Sequence, residues 1–159
     1  MKQPIVLGIV LLCLSCSGKQ TKLSSENTYG FGFLQTKVCE YYQQANCDSV
    51  HETDDFIPFE CLGITGYRLS EVIQKYGAPI YESLWKDFTS GSVEGGLSVH
   101  SLSSVIEALK ISKPIDVLEM AWTPYENKDL IIRVYFIADS NNLIAVAGDQ
   151  ENSTIYLME

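Results

Sequence analysis

The stretch Leu62-Gly63-Ile64-Thr65-Gly66-Tyr67-Arg68-Leu69-Ser70-Glu71-Val72-Ile73-Gln74-Lys75-Tyr76-Gly77-Ala78-Pro79 decides how the chain is read. It is punctuated like one short helix. Thr65 stands where a hydroxyl can accept from the open amides of a first turn. Ile64 before it and Leu69 after it sit where a hydrophobic staple closes a helix entry. Leu69, Val72, Ile73 and Tyr76 recur at helical spacing and make one apolar stripe. Gly77 suits a positive-φ helix end, and Pro79 forbids continuation.

Downstream the period changes from helical to two. Residues 80–88 carry Tyr81, Trp85 and Phe88 without a glycine and read as a strand. Residues 97–99 read as a second, brief one. Ser104 to Glu107 has capping-box spacing and predicts a short helix with Val105, Ile106 and Leu109 inward, ended by Pro114. In 115–122, Leu118, Met120 and Trp122 alternate with Val117, Glu119 and Ala121. The clearest strand is 130–138, with Leu130, Ile132, Val134 and Phe136 on one side and Arg133 and Tyr135 on the other. Asp139-Ser140-Asn141-Asn142 is hairpin-turn chemistry, 143–147 returns antiparallel, and 155–158 adds a last strand.

Upstream, 34–45 places Leu34, Val38, Tyr41, Tyr42 and Ala45 on one helical face, and 46–59 is a loop with an acidic run at 51–55. Helices early and an antiparallel meander late make an α+β fold. Its expected form is two layers, short N-terminal helices packed on the β-meander.

The start of the chain has different chemistry. Lys2, an apolar run at 5–14 too short to span a bilayer, and Ser15-Cys16-Ser17-Gly18 have the order of a bacterial lipoprotein signal. Residues 1–15 are then the signal peptide and Cys16 carries the lipid. Residues 16–28 are a polar tether, and 29–159 form a single domain. An ordinary signal peptide is the alternative. Tyr29-Gly30-Phe31-Gly32-Phe33 has too few glycines, and no preceding strand, for a phosphate-binding loop.

With 159 residues, 46% of them hydrophobic, the chain fills one core. A net charge of −9 excludes nucleic acid as a partner, because phosphates would be repelled. Beyond Cys16 the mature chain keeps Cys39, Cys47 and Cys61. An oxidising compartment permits one disulfide among them, and the spacing leaves the pairing open.

Gly63-Ile64-Thr65, Glu71-Val72 and Tyr76-Gly77-Ala78-Pro79 together resemble the signature of SmpA/BamE-like small outer-membrane lipoproteins. Glu119-Met120-Ala121-Trp122, Arg133-Val134-Tyr135-Phe136 and Leu143-Ile144-Ala145-Val146 resemble that family's closing strands. The resemblance covers about 62–149, with 84–114 as an insertion. It implies a helix pair on a three- or four-stranded antiparallel sheet, as in β-lactamase-inhibitor-like domains. It also implies an outer-membrane address facing the periplasm and an accessory, non-catalytic part in envelope assembly.

Chemistry is sparse. Cys39, Cys47, His51 and Cys61 lack the tight pairs of a zinc site, and Asp48, Glu52, Asp54 and Asp55 lack the order of a calcium loop, so no metal or cofactor is expected. No Gly-x-Ser-x-Gly is present, and neither His51 nor His100 sits in a recognisable catalytic context; Cys61 with His100 would be a pairing without geometry. The expectation is therefore not an enzyme. It is a lipid-anchored module that binds an envelope protein through its sheet face. Arg133, Tyr135 and Trp122 are the candidate contact residues, because tyrosine, tryptophan and arginine carry interface energy. Arg133 and Tyr135 are then expected on an open face, dispensable for folding, with the acidic loop at 52–55 as the alternative contact. A periplasmic small-ligand or inhibitor-type binder on the same fold is the second reading.

Overall fold

The computed structural model describes residues 32–51, 54–91, 97–124 and 129–152. The leader with Cys16, Glu52 and the strand expected at 155–158 lie outside them.

The elements are α1 (Phe33–Tyr42), β1 (Phe56–Pro58), a 3-10 turn (Phe59–Cys61), α2 (Leu69–Tyr76), β2 (Tyr81–Phe88), α3 (Leu97–Ala108), β3 (Ile115–Trp122), β4 (Leu130–Asp139) and β5 (Asn142–Asn152). The strands make one antiparallel sheet in the order β1-β5-β4-β3-β2, so the α+β class holds. Among the described residues it has five strands rather than three or four.

The helices are not all on one face. Leu34 and Val38 of α1 and Val99, Leu102, Val105 and Ile106 of α3 pack with Val117, Tyr135 and Ile137. On the opposite face Phe59, Leu62, Ile64 and Val72, from the 3-10 turn to α2, pack on Leu118, Met120, Trp122, Ile132, Val134 and Phe136. The sheet is thus a middle layer. A strand covered on both faces buries both sets of its alternating side chains.

The deciding stretch keeps its helix but shifts its start. Gly66 N–H donates to the Ala145 carbonyl at 3.0 Å and Ala145 N–H to the Tyr67 carbonyl at 2.8 Å. Arg68 bridges Ile144, so 66–68 extends the strand edge next to β5 before α2 begins. Thr65 is therefore not the cap, and its hydroxyl is buried without a partner. Glu71 does the capping, its carboxylate accepting the Arg68 N–H at 2.7 Å. Val72 is the centre of the stripe, while Ile73 lies at its exposed margin. Gly77 ends the helix with φ 83° and ψ −156°, a region only glycine occupies readily.

The residues read as a brief strand at 97–99 are the first turn of α3. Val99, Leu102, Val105 and Ile106 continue one stripe through the expected helix start, and the Ser104 hydroxyl donates to the His100 carbonyl from mid-helix. α1 stops at Tyr42, leaving Ala45 exposed in the loop. In the β4–β5 hairpin Ser140, not an asparagine, takes positive φ at 56°.

β5 makes one detour. Tyr135 pairs with Ala147 and Phe136 with Ala145, so Val146 is bulged, and its carbonyl accepts the Tyr42 hydroxyl at 3.2 Å. Beside the bulge a Cβ on Gly148 would stand 2.1 Å from the Arg133 carbonyl oxygen. No other residue fits there.

Candidate functional site: a carboxylate row and an open strand edge

The period of two puts Arg133 and Tyr135 on one face of β4, as the sequence predicts, but that face is not open. α1 and α3 cover it. Tyr135 is wholly buried and stacks edge-on with Trp85, 5.6 Å between ring centroids. Trp122, on the other face, is also wholly buried, and its indole N–H donates to the Gly77 carbonyl at 2.9 Å. Neither ring offers a surface to a partner. The expectation that Arg133 and Tyr135 lie on an open face is overturned with it.

Arg133 is instead the centre of a charged row. The register sets it between Ala121 on β3 and Asp149 on β5, with Glu119 and Glu151 as diagonal neighbours. Its Nε lies 3.1 Å from Glu119 Oε1 and one terminal nitrogen lies 3.6 Å from Glu151 Oε1. The Trp85 indole N–H donates to the second Glu119 oxygen at 2.9 Å. Asp149 is 2% exposed, and its Oδ1 is buried with no hydrogen-bond partner.

Three carboxylates thus cluster round one guanidinium in a largely buried place. Burial pushes Asp149 up to about 7, the Glu151 charge adds to it, Arg133 opposes it and Glu119 adds again. Burial raises Glu119 too, against the pull of Arg133 and the Trp85 hydrogen bond. The row can hold and release a proton near neutral pH. Among the described residues no group of three or more His, Cys, Asp or Glu is arranged to hold a metal. Sequence reading missed it because Glu119, Asp149 and Glu151 meet only through strand register.

A second buried carboxylate, Asp139 at the end of β4, meets the backbone N–H groups of Leu34, Gln35 and Gly32 at the start of α1. Burial raises it and those N–H groups lower it.

Of the cysteines, Cys47 and Cys61 form a disulfide with 5.4 Å between Cα atoms, tying the loop after α1 to the 3-10 turn. Closing a loop of that size stabilises the fold by about 3 kcal/mol in the chain-entropy account. Cys39 keeps an exposed thiol near the Thr65 carbonyl, and partial burial raises its pKa. His51 is exposed in the loop, apart from any such arrangement. His100 is exposed on α3, where with Ser90, Gly91, Ser103, Ser104 and Glu107 it lines an open cleft of about 340 Å³. The Ser104 hydroxyl is turned to a backbone carbonyl there, not to the imidazole.

The two edges of the sheet differ. β5 is flanked by β1 and by 66–68. β2 has a strand on one side only among the described residues. It is eight residues long, and it begins beside Ile80 and Tyr81, which are 60% and 50% exposed.

Compared with protein-family models, curated proteins and solved structures, the chain matches none of them.

Proposed function

We propose that this chain is a lipid-anchored, non-catalytic interaction module of the bacterial envelope, and that it meets its partner along β2, at the sheet edge. The observation that carries the interaction reading is that edge. Helices or turns pack on both sheet faces, whereas among the described residues β2 has a strand on one side only and is bordered by exposed Ile80 and Tyr81. Such a row adds a strand from another chain with little rearrangement.

The envelope address is supported by the order Lys2, apolar run, Ser15-Cys16, and by the resemblance to SmpA/BamE-like outer-membrane lipoproteins. The Cys47–Cys61 disulfide is in keeping with an oxidising compartment.

Two measurements test the two halves. Cys16→Ala should move the protein from the membrane fraction to the soluble periplasmic one, and a variant still on membranes rejects the anchor. A photo-crosslinker at Ser83 in β2 should capture a protein neighbour in intact cells, while one at exposed Glu40 on α1 should not. Capture from Glu40 alone would reject the edge.

A further inference from the structure

We propose that the partner of β2 is a second copy of this chain, paired antiparallel about a two-fold axis at Leu84. The inference rests on the interaction reading above and names the partner. It starts from the sequence of the edge, Tyr81-Glu82-Ser83-Leu84-Trp85-Lys86-Asp87-Phe88.

Glu82 lies opposite Met120 and Leu84 opposite Leu118, both on the α2 face of the sheet. Lys86 joins that face, because its amine meets Asp116, which shares the parity of Leu118 and Met120. Glu82, Leu84 and Lys86 thus form one line along the open edge, with opposite charges equally far from the central leucine.

When two identical strands pair antiparallel about a two-fold axis, residues equidistant from the axis stand opposite one another. Centred on Leu84, each Glu82 faces the Lys86 of the other copy, and the two Leu84 side chains meet between them. Moving the axis by one residue destroys this. Centred on Ser83, Glu82 faces Leu84 and Lys86 faces Ile80; centred on Trp85, Lys86 faces Leu84 and Glu82 faces Phe88. The charges therefore select one register.

They also explain how a long exposed edge is kept from other strands. Charged side chains deter unlike edges. Against its own copy reversed, the same pattern is complementary. The register slip between Trp85 and Phe88, with Asp87 at φ 52°, interrupts the regular ladder after Trp85 and limits the length of edge that can pair. Lys86 keeps its Asp116 contact at 2.6 Å, and its side chain is 57% exposed, so the ammonium has room for a second carboxylate.

The experiment is sedimentation equilibrium on the purified chain with two charge reversals. Wild type should form a dimer. Glu82→Lys and Lys86→Glu should each weaken it at least tenfold, since each puts like charges opposite one another. An equimolar mixture of the two variants should restore the dimer as a heterodimer, because one strand then carries two lysines and the other two glutamates. A wild-type monomer at hundreds of micromolar, or a dimer indifferent to both reversals, overturns the proposal.

Lys86→Glu also faces Asp116, so a second measurement stands apart from its folding. In a Cys39→Ser background, Leu84→Cys should cross-link to itself under mild oxidation and Glu82→Cys should not. The reverse result overturns the register. Capture of an unlike envelope protein from Ser83, with wild type monomeric, overturns the self-pairing and leaves the interaction reading standing. No capture from Ser83 and no dimer removes both.

Discussion

Each face of the sheet carries one of the two tryptophans, and the two rings are held by different chemistry. Trp122, under α2, donates its indole N–H to the Gly77 carbonyl and packs against Phe136 and Tyr76. These three partners carry no charge at neutral pH. Trp85, on the α1 and α3 face, donates to Glu119, and through it joins a row of three carboxylates and Arg133. Around Trp122 the face is held by apolar burial and should be indifferent to pH. The other mixes apolar burial with charges that need one another, and should not be.

The largest expected effect breaks the apolar face. Trp122→Ala removes a wholly buried ring and orphans the Gly77 carbonyl. Large-to-small changes of this kind cost about 4 kcal/mol. Denaturant titrations at pH 5 and pH 8 should show nearly the same loss. A loss that changes strongly with pH would mean the two faces are coupled.

Arg133→Ala breaks the charged row and should cost about 3 kcal/mol at pH 8, where removing one partner strands buried charge. Below pH 5 the loss should shrink, because the carboxylates can take up protons instead. An equal loss at both pH values would show that Arg133 acts by packing alone.

The difference between the faces also marks what was legible in the sequence. Alternation in β3 and β4 assigns each side chain to a face, and those assignments hold for Leu118, Met120, Trp122, Ile132, Val134 and Phe136. Alternation is silent on whether a face is covered. Tyr135 was read as outward because the helices were expected on one side, and α1 and α3 settled on the other. The short run at 97–99 is ambiguous by length, since three residues fit a strand as well as a helical turn. Thr65 lost its cap role to strand pairing by 66–68, a tertiary contact no local pattern reports. The Cys47–Cys61 pairing likewise waited on the fold.

Asp149→Asn should sharpen the contrast in the opposite direction. The unfolded chain releases this proton near pH 3.9 and the folded chain near 7, so the folded state binds the extra proton between them. Stability contributed by the protonated group is therefore full below pH 4 and is lost as pH rises to 7. Asparagine keeps the shape without the charge. The variant should match wild type near pH 4 and exceed it clearly at pH 8. A variant less stable than wild type at pH 8 would show that the ionised Asp149 is needed by Arg133.

The smallest effect is the most direct reading of the two faces. Trp85→Phe keeps a ring against Tyr135 and Phe88 but removes the donor to Glu119. The lost hydrogen bond should cost about 1 kcal/mol, since Arg133 still holds the other Glu119 oxygen. Its optical consequence is larger than its energetic one. An indole hydrogen-bonded to a carboxylate should change its emission as the neighbouring row exchanges protons, whereas the acceptor of the Trp122 indole is a backbone carbonyl that does not titrate. Wild-type tryptophan fluorescence should therefore shift between pH 5 and pH 8. Trp122→Phe should keep that shift and Trp85→Phe should abolish it. If the shift survives in Trp85→Phe, proton exchange in the carboxylate row reaches through the sheet to the neutral face, and the two layers are one electrostatic unit.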